Sequence, residues 1–356
     1  MIMLCPFKLI VNSVGDANSV FLQTKTNSIM IDFGYGNKNL FTNELLCQIV
    51  DSKELLVSHY HKDHYNGLIE LPENELSIYN LYYPYIPIFS DITLNQKLLK
   101  EIKFINYATM VCTGSKAYDF VTLLKQKNKQ DIELNYHPLY KGMTLNDKDY
   151  KVIWPPRNGD FFNLRTLRKG ITEIDSIIKS LPQVSELWKK FDRFEIDSET
   201  QQFKNDMNDS VGLINNAETF FYTNKKKILE IDEKLRKITN RFSVSLYKEK
   251  EFLFLGDLEQ EELTVCLNNL IADNNGKPIF VKYLITPHHG TKKQYIPEIS
   301  KFIKADYVIS SNGTKRYFDY EMKYDKIGKY THCTHKNGNF YGLDTLLFVN
   351  FINNNI

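Results

Sequence analysis

Three short apolar runs in this 356-residue chain end in polar residues of one chemical kind. Glu54-Leu55-Leu56-Val57 leads into Ser58-His59-Tyr60-His61-Lys62-Asp63-His64. Phe252-Leu253-Phe254-Leu255 leads into Gly256-Asp257, and Tyr283-Leu284-Ile285-Thr286 into Pro287-His288-His289-Gly290. Runs of this length read as buried strands, and polar residues packed onto the end of a buried strand are the usual place for a site. A lone Gly-Asp is a common turn and a lone His-His a weak signal. Three strand ends with compatible ligands act jointly, and they restrict the chain to folds that bring those ends together. The chain has eight histidines, and five of them lie in the first and third of these segments.

In an extended segment, residues two apart project to the same side, so His59 and His61 converge on one point. Asp63 and His64 come from the next turn and converge on a second point a few ångströms away. Imidazoles with carboxylates suit Zn²⁺, Mn²⁺ or iron. The two oxygens of Asp257 are placed to bridge a pair of ions lying roughly 3.5–4 Å apart. One of His288 and His289 completes the second position, and the other faces the substrate. The expected centre therefore draws on His59, His61, Asp63, His64, Asp257, His288 and His289 for one or two ions, Zn²⁺ or Mn²⁺, with Asp63 and His288 as candidate catalytic groups.

The flanking sequence supports a layered α/β fold. The N-terminal third carries β-prone runs at Phe7 to Val11, Val20 to Thr24 and Ser28 to Asp32, separated by turn formers. Helix-like spacing follows at Asn43 to Val50, Leu94 to Tyr107 and Ala117 to Gln126, with strands expected at Leu76 to Ile88, Glu133 to Tyr140 and Lys151 to Trp154 around a turn at Asn146-Asp147. After Asn240 strands alternate with helices: Phe242 to Tyr247, Phe252 to Leu255, a helix over Glu259 to Ala272, Lys282 to Thr286, a helix from Pro297 to Ile303, Tyr307 to Ser310, and a β-like tail from Phe340. Because hairpins precede the first helix, two packed sheets with helices outside are expected rather than a doubly wound parallel sheet. Neither G-x-G-x-x-G nor G-x-x-x-x-G-K-[ST] occurs, so nucleotide-fold chemistry has no support. No internal repeat is evident. Between 157 and 239, Ile171, Ile174, Ile178 and Leu181, and then Ile228, Ile231, Leu235 and Ile238, recur at helical spacing. This stretch reads as a helical insertion in a single domain spanning 1–356, with a polar stretch near Asp197 to Ser210.

The spacing His59-x-His61-x-Asp63-His64 resembles the signature of the metallo-β-lactamase-fold hydrolases, and Asp32 in Ile31-Asp32-Phe33-Gly34 sits where that superfamily has an early structural Asp. Asn240-x-x-Ser243, Gly256-Asp257-Leu258-Glu259 and Pro287-His288-His289-Gly290 more closely resemble the hydrolase domain of the competence protein ComEC and its stand-alone relatives. The resemblance covers about 1–155 and 240–315. It implies an αββα sandwich with metals at one edge, a metal-bound hydroxide as nucleophile, and phosphodiester substrates, with Asn240 and Ser243 near the substrate. The sequence departs from that pattern in two places. No histidine occupies the expected context between the first motif and Gly256-Asp257, since His137 in Asn135-Tyr136-His137-Pro138 reads as structural. The stretch Thr314 to Asp319 also lacks the expected histidine. His332 and His335 are expected on a loop.

Charge and cysteine content bound the rest. Lys and Arg number 45 against 43 Asp and Glu, a net +2, which excludes binding of nucleic acid by bulk charge alone and confines any such role to a local basic groove. Lys292, Lys293, Lys315 and Arg316 are the candidates for a phosphate-binding rim. Cys5, Cys47, Cys112, Cys266 and Cys333 show no CxxC spacing and read as reduced thiols. No uninterrupted apolar stretch is long enough to span a bilayer and the N-terminal run is broken by Pro6 and Lys8, so a cytoplasmic protein without a membrane association is expected. Three functions remain in order: a phosphodiesterase or nuclease acting on nucleic acid or a nucleotide; a hydrolase of small esters, lactones or thioesters with an apolar pocket; and a metal-binding subunit of a larger, defence-related complex that docks a protein partner through the insertion.

Overall fold

The structure, a computed structural model, describes residues 8–23, 27–87, 89, 92–112, 120–145, 150–193, 195–197, 199–202, 217–313, 324 and 327–343. Lys315, Arg316, the turn at Asn146-Asp147, most of the polar stretch after Asp197 and the tail beyond Leu343 lie outside the described residues.

Alternating side chains build two sheets. The first holds β1 (Lys8–Val11), β2 (Ser19–Gln23), β3 (Ser28–Phe33), β4 (Glu54–Leu56), β5 (Asn80–Pro84), β6 (Asn135–Leu139) and β14 (Phe340–Leu343), in the order β14-β1-β2-β3-β4-β5-β6. The second holds β7 (Thr144–Leu145), β8 (Tyr150–Trp154), β9 (Ser245–Lys248), β10 (Phe252–Phe254), β11 (Ile279–Ile285), β12 (Ile303–Ser310) and β13 (Gly328–Cys333), in the order β13-β12-β11-β10-β9-β8-β7. In the first sheet β14, β1, β2 and β3 pair antiparallel and β3 to β6 parallel. In the second, β7 to β10 pair antiparallel and β10 to β13 parallel. The two sheets thus repeat one pattern, with β3 and β4 in the places that β10 and β11 hold in the other half.

The period of two sorts the strand residues between two cores. Leu9, Val11, Val20, Leu22, Ile29 and Ile31 meet Phe252, Phe254, Tyr283 and Ile285 between the sheets. Ile10, Phe21, Met30, Leu55, Leu253 and Leu284 point the other way, into the core under the helices. Helices cover both outer faces: α1 (Asn43–Asp51), α2 (Ile92–Cys112) and α3 (Phe120–Lys127) belong to the first half, and α8 (Gln260–Asp273) and α9 (Pro297–Phe302) to the second. Helix α1 starts where the Thr42 hydroxyl accepts the Leu45 N–H at 3.2 Å, an N-cap that satisfies one of the open donors of the first turn. The αββα layering expected from the sequence is present.

The stretch 157–239 contributes α4 (Leu164–Lys179), α5 (Pro182–Phe191), α6 (Ala217–Thr223) and α7 (Lys225–Thr239). Helix α7 packs against α2 and α4, and the stripes Ile171, Ile174, Ile178 and Ile228, Ile231, Leu235, Ile238 are buried in the outer core. The apolar faces of the insertion therefore cover the sandwich. Two local expectations differ. Phe242 does not begin a strand, because Asn240–Phe242 continues α7 as a tight turn and β9 starts at Ser245. His332 and His335 lie on β13 and the short helix α10 (Thr334–Asn337), not on a loop. Strand β13 is an edge strand with its middle exposed, so it lacks the apolar alternation by which strands are read. Among the described residues no helix is long and apolar enough to cross a membrane.

Candidate metal centre

The parallel strands of both sheets deliver the site from their C-terminal ends. After β3 comes Gly34, which abuts the loop following β4 so closely that a Cβ there would lie 1.6 Å from the Asp63 carbonyl oxygen. Backbone on backbone leaves no room for a side chain, so Gly34→Ala is expected to cost about 3 kcal/mol or more, or to displace Asp63 and His64. Chemical denaturation together with metal titration of the variant checks this. After β10 the chain turns at Gly256 with φ of +57°, where a Cβ would also meet the Val244 carbonyl oxygen at 2.8 Å. After β11, His288, His289 and Gly290 all adopt positive φ, of 47°, 62° and 78°. Two consecutive non-glycine residues in that region are strained, and strain of this kind collects at functional sites. The His288 N–H donates to the Gly256 carbonyl at 2.9 Å and ties the two strand ends together.

Asp32 is fully buried and organises the first half. Its carboxylate accepts from the Ser58 N–H at 2.6 Å, the Ser58 hydroxyl at 2.7 Å, Asn18 Nδ2 at 2.9 Å and His64 Nδ1 at 2.7 Å. Because a carboxylate only accepts, His64 Nδ1 carries a proton, and Nε2 is the nitrogen turned toward the site. His289 is fixed in the same way from the other half: its Nδ1 donates to the Ser311 carbonyl at 2.7 Å, which leaves Nε2 inward. His64 Nε2 and His289 Nε2 are buried and make no hydrogen bond. Two buried ring nitrogens that face one carboxylate and make no hydrogen bond fit a site for a cation.

That carboxylate is Asp257. Its Oδ2 lies 3.9 Å from His59 Nε2, 3.8 Å from His64 Nε2, 3.8 Å from His288 Nδ1 and 3.4 Å from His289 Nε2. Two triads of ligand atoms fall within 4.8 Å of one another: His59, His64 and Asp257, and Asp63, His64 and His289. The second is the grouping read from the sequence, completed by His289. The first has His64 where His61 was expected. His61 Nδ1 lies 2.8 Å from His59 Nε2, so the two rings do converge, but His61 leans to the rim. There its Nε2 meets Thr239 Oγ1 at 2.8 Å, at the end of α7. The Thr239 hydroxyl proton goes to the Leu235 carbonyl at 3.1 Å, so its oxygen accepts from His61 Nε2 and the Nδ1 lone pair is turned inward.

Electrostatics keep His59, His61 and Asp257 in ligand form, whereas His64 must give up a proton to bind an ion. Burial, and then the neighbouring His64 and His61, hold His59 well below the usual histidine range; burial, and then Arg236, do the same for His61. Both are neutral imidazoles. Burial would raise Asp257, but His289 and His288 outweigh it and keep the carboxyl well below its ordinary value. Burial would lower His64, yet the charge and hydrogen bond of Asp32 lift it to about 9. In the metal-free protein His64 is therefore the cation that balances the carboxylates.

A cavity of about 280 Å³ opens beside the cluster. His61, Asp257 and His288 reach it from the centre, with Arg236 and Asn240 from the end of α7 and Lys293 from the turn after β11. The remaining lining residues are also polar or charged. Glu259 bridges its floor, accepting from Asn240 Nδ2 at 3.1 Å and Gln294 Nε2 at 3.4 Å. That fixes the amide so that Asn240 Oδ1 is an acceptor, buried and without a hydrogen bond. Ser243 is fully buried beneath Gly256 and does not line the cavity, and neither does Lys292.

The other histidines are held elsewhere. His137 on β6 stacks on Tyr82 with ring centroids 5.0 Å apart, and its Nε2 meets Asn80 Oδ1 at 3.0 Å. His332 Nε2 donates to the Gly338 carbonyl at 2.9 Å, and His335 is exposed on α10. None of the three joins either triad. Sequence reasoning passed over Thr239 and Arg236, and quoted Glu259 within Gly256-Asp257-Leu258-Glu259 without giving it a role. Thr239 follows Leu235 by one turn on the buried face of α7, and Arg236 flanks that face.

No protein-family model matches the chain, and no curated protein matches it. Among solved structures it is similar to the crystal structure of the metallo-beta-lactamase fold protein YhfI from Bacillus subtilis, at 10% sequence identity and a TM-score of 0.37, over 95% of this chain and 100% of that one. A likeness of that size says nothing of activity, and the functional reading below rests on the residues themselves.

Proposed function

We propose that the protein is a metal-dependent hydrolase of phosphodiesters. The observation that carries this reading is the cavity: it is bounded by the buried ligand cluster and lined wholly by polar and charged residues, with Arg236, Lys237 and Lys293 among them. A pocket for small esters, lactones or thioesters is lined mostly by apolar and aromatic side chains, and none of the residues lining this one is of that kind. The residues that would hold one or two Zn²⁺ or Mn²⁺ ions are His59, His61, Asp63, His64, Asp257 and His289. Bound there, a divalent ion lowers the pKa of water and polarises the phosphoryl oxygen.

The chain's own residues do the rest. Asp32 and the Ser311 carbonyl hold His64 and His289 in the tautomer whose Nε2 faces inward. Asp63 takes the proton of the attacking water. His288, half-buried at the cavity wall, protonates the leaving oxygen. Asn240 Oδ1 accepts a hydrogen bond from a donor on the substrate. A cavity of this size engages one reacting group at the end or bend of a chain, not a duplex.

The test offers bis-p-nitrophenyl phosphate, single- and double-stranded DNA, RNA and a lactone panel to protein loaded with Mn²⁺ or Zn²⁺. Turnover of bis-p-nitrophenyl phosphate and of the single-stranded nucleic acids is expected, with the DNA duplex left uncut. Turnover of carboxylic esters with no phosphodiester cleaved would overturn the reading.

A further inference from the structure

Arg236 is placed to do something that neither the fold nor the ligand cluster requires. It stands in the last turn of α7, within the insertion, and lines the same cavity as His61, Asp257 and His288. Its Nε donates to Asp232 Oδ2 at 3.0 Å one turn earlier, and Asp232 is 7% exposed. The guanidinium is thereby oriented, while its two terminal nitrogens make no hydrogen bond among the described residues. Its positive charge is felt by both His61 and Asp63, which places it next to the reacting centre. Nearby, the unpartnered and buried Asn240 Oδ1 shows independently that this end of α7 faces a ligand.

A planar fork with one edge anchored and the other open matches two oxygens of a phosphate group better than any ammonium does. We infer that Arg236 grips the non-bridging oxygens of the substrate's phosphate, so that the helical insertion forms part of the active site and sets its preference for anionic substrates. This rests on the phosphodiesterase reading for the reaction, but the recognition of phosphate is testable apart from it. The bland alternative is that Arg236 only neutralises Asp232 and Asp63, holding α7 against the loop.

The experiment measures inorganic phosphate binding to the Zn²⁺-loaded full chain by calorimetry, for the parent, Arg236→Gln and Arg236→Lys. A charge-assisted pair of hydrogen bonds predicts weakening of roughly 10- to 100-fold in Arg236→Gln, with partial recovery in Arg236→Lys. Zinc stoichiometry and melting temperature should stay at parental values in both. In kinetics, KM for bis-p-nitrophenyl phosphate should rise by a similar factor, with a smaller change in kcat. Unchanged phosphate affinity in Arg236→Gln overturns the inference. So does a loss of phosphate affinity that follows zinc content and melting temperature down in both variants, the mark of a structural counter-ion. If the parent cleaves p-nitrophenyl acetate and no diester, the reaction assignment fails while the phosphate titration still decides the role of Arg236.

Discussion

Asp257→Ala is expected to lower hydrolytic activity by on the order of 10³-fold or more and to reduce the metal bound per chain. Loss of a side chain that only orients a metal ligand costs about 10- to 100-fold in metal affinity or activity. Asp257 stands one step further in. Its Oδ2 lies within 4 Å of His59, His64, His288 and His289, so its removal withdraws the carboxylate that faces four of the cluster's histidines. Circular dichroism separates this from unfolding, and elemental analysis gives the metal content. Asp257→Asn keeps the volume and removes the charge, so it should fall in the same range. Parental activity and metal content in either variant would show that the cluster does not form the centre.

The second large effect is on metal affinity against pH. In the metal-free protein Asp32 holds His64 protonated up to about 9, and the proton that must leave is the one on Nε2, since Nδ1 stays on Asp32. Metal uptake below that pH therefore expels a proton. Apparent affinity should rise about tenfold per pH unit from near 7 to near 9 and level off above. The sign for stability is opposite. A folded-state value above the ordinary 6.5 stabilises the metal-free protein fully below pH 6.5, and that contribution fades as pH climbs through 9. Chelator competition at several pH values and the buffer dependence of the binding enthalpy both measure it. In Asp32→Asn the slope should disappear over this range, because the His64 value falls toward or below 6.5.

Much of the fold could be read because burial leaves a mark on sequence. Strands β1 to β4 and β10 to β12 alternate or run apolar, and the ligands follow β4, β10 and β11 immediately, so both the strands and the strand-end cluster were legible. Edge strand β13 left no such mark. The repetition of one strand pattern in both sheets was invisible too, because it resides in pairing and not in residue identity. Within the site, spacing showed that His59 and His61 converge, but not that Thr239 would draw His61 to the rim; that contact joins residues 178 positions apart. Nor did spacing show that His289 would turn its Nε2 inward, because the carbonyl of Ser311 that orients it lies on a different strand end. Helical periodicity identified the buried face of α7. What its polar face looks onto depends on how the insertion is laid over the sandwich.

The two matching sheets have a consequence for how the protein comes together. His59, His61, Asp63 and His64 are carried by the first half, and Asp257, His288 and His289 by the second, so each half owns only a fraction of a coordination sphere. An ion held by both sets would act as a clasp across the seam. Neither half alone can hold it tightly, which makes metal capture a late event in folding and a report that both halves have closed. It also follows that a chelator should loosen one edge selectively. Amide exchange should quicken first in the segments after β4 and β11, with the far rim of the sandwich still shut.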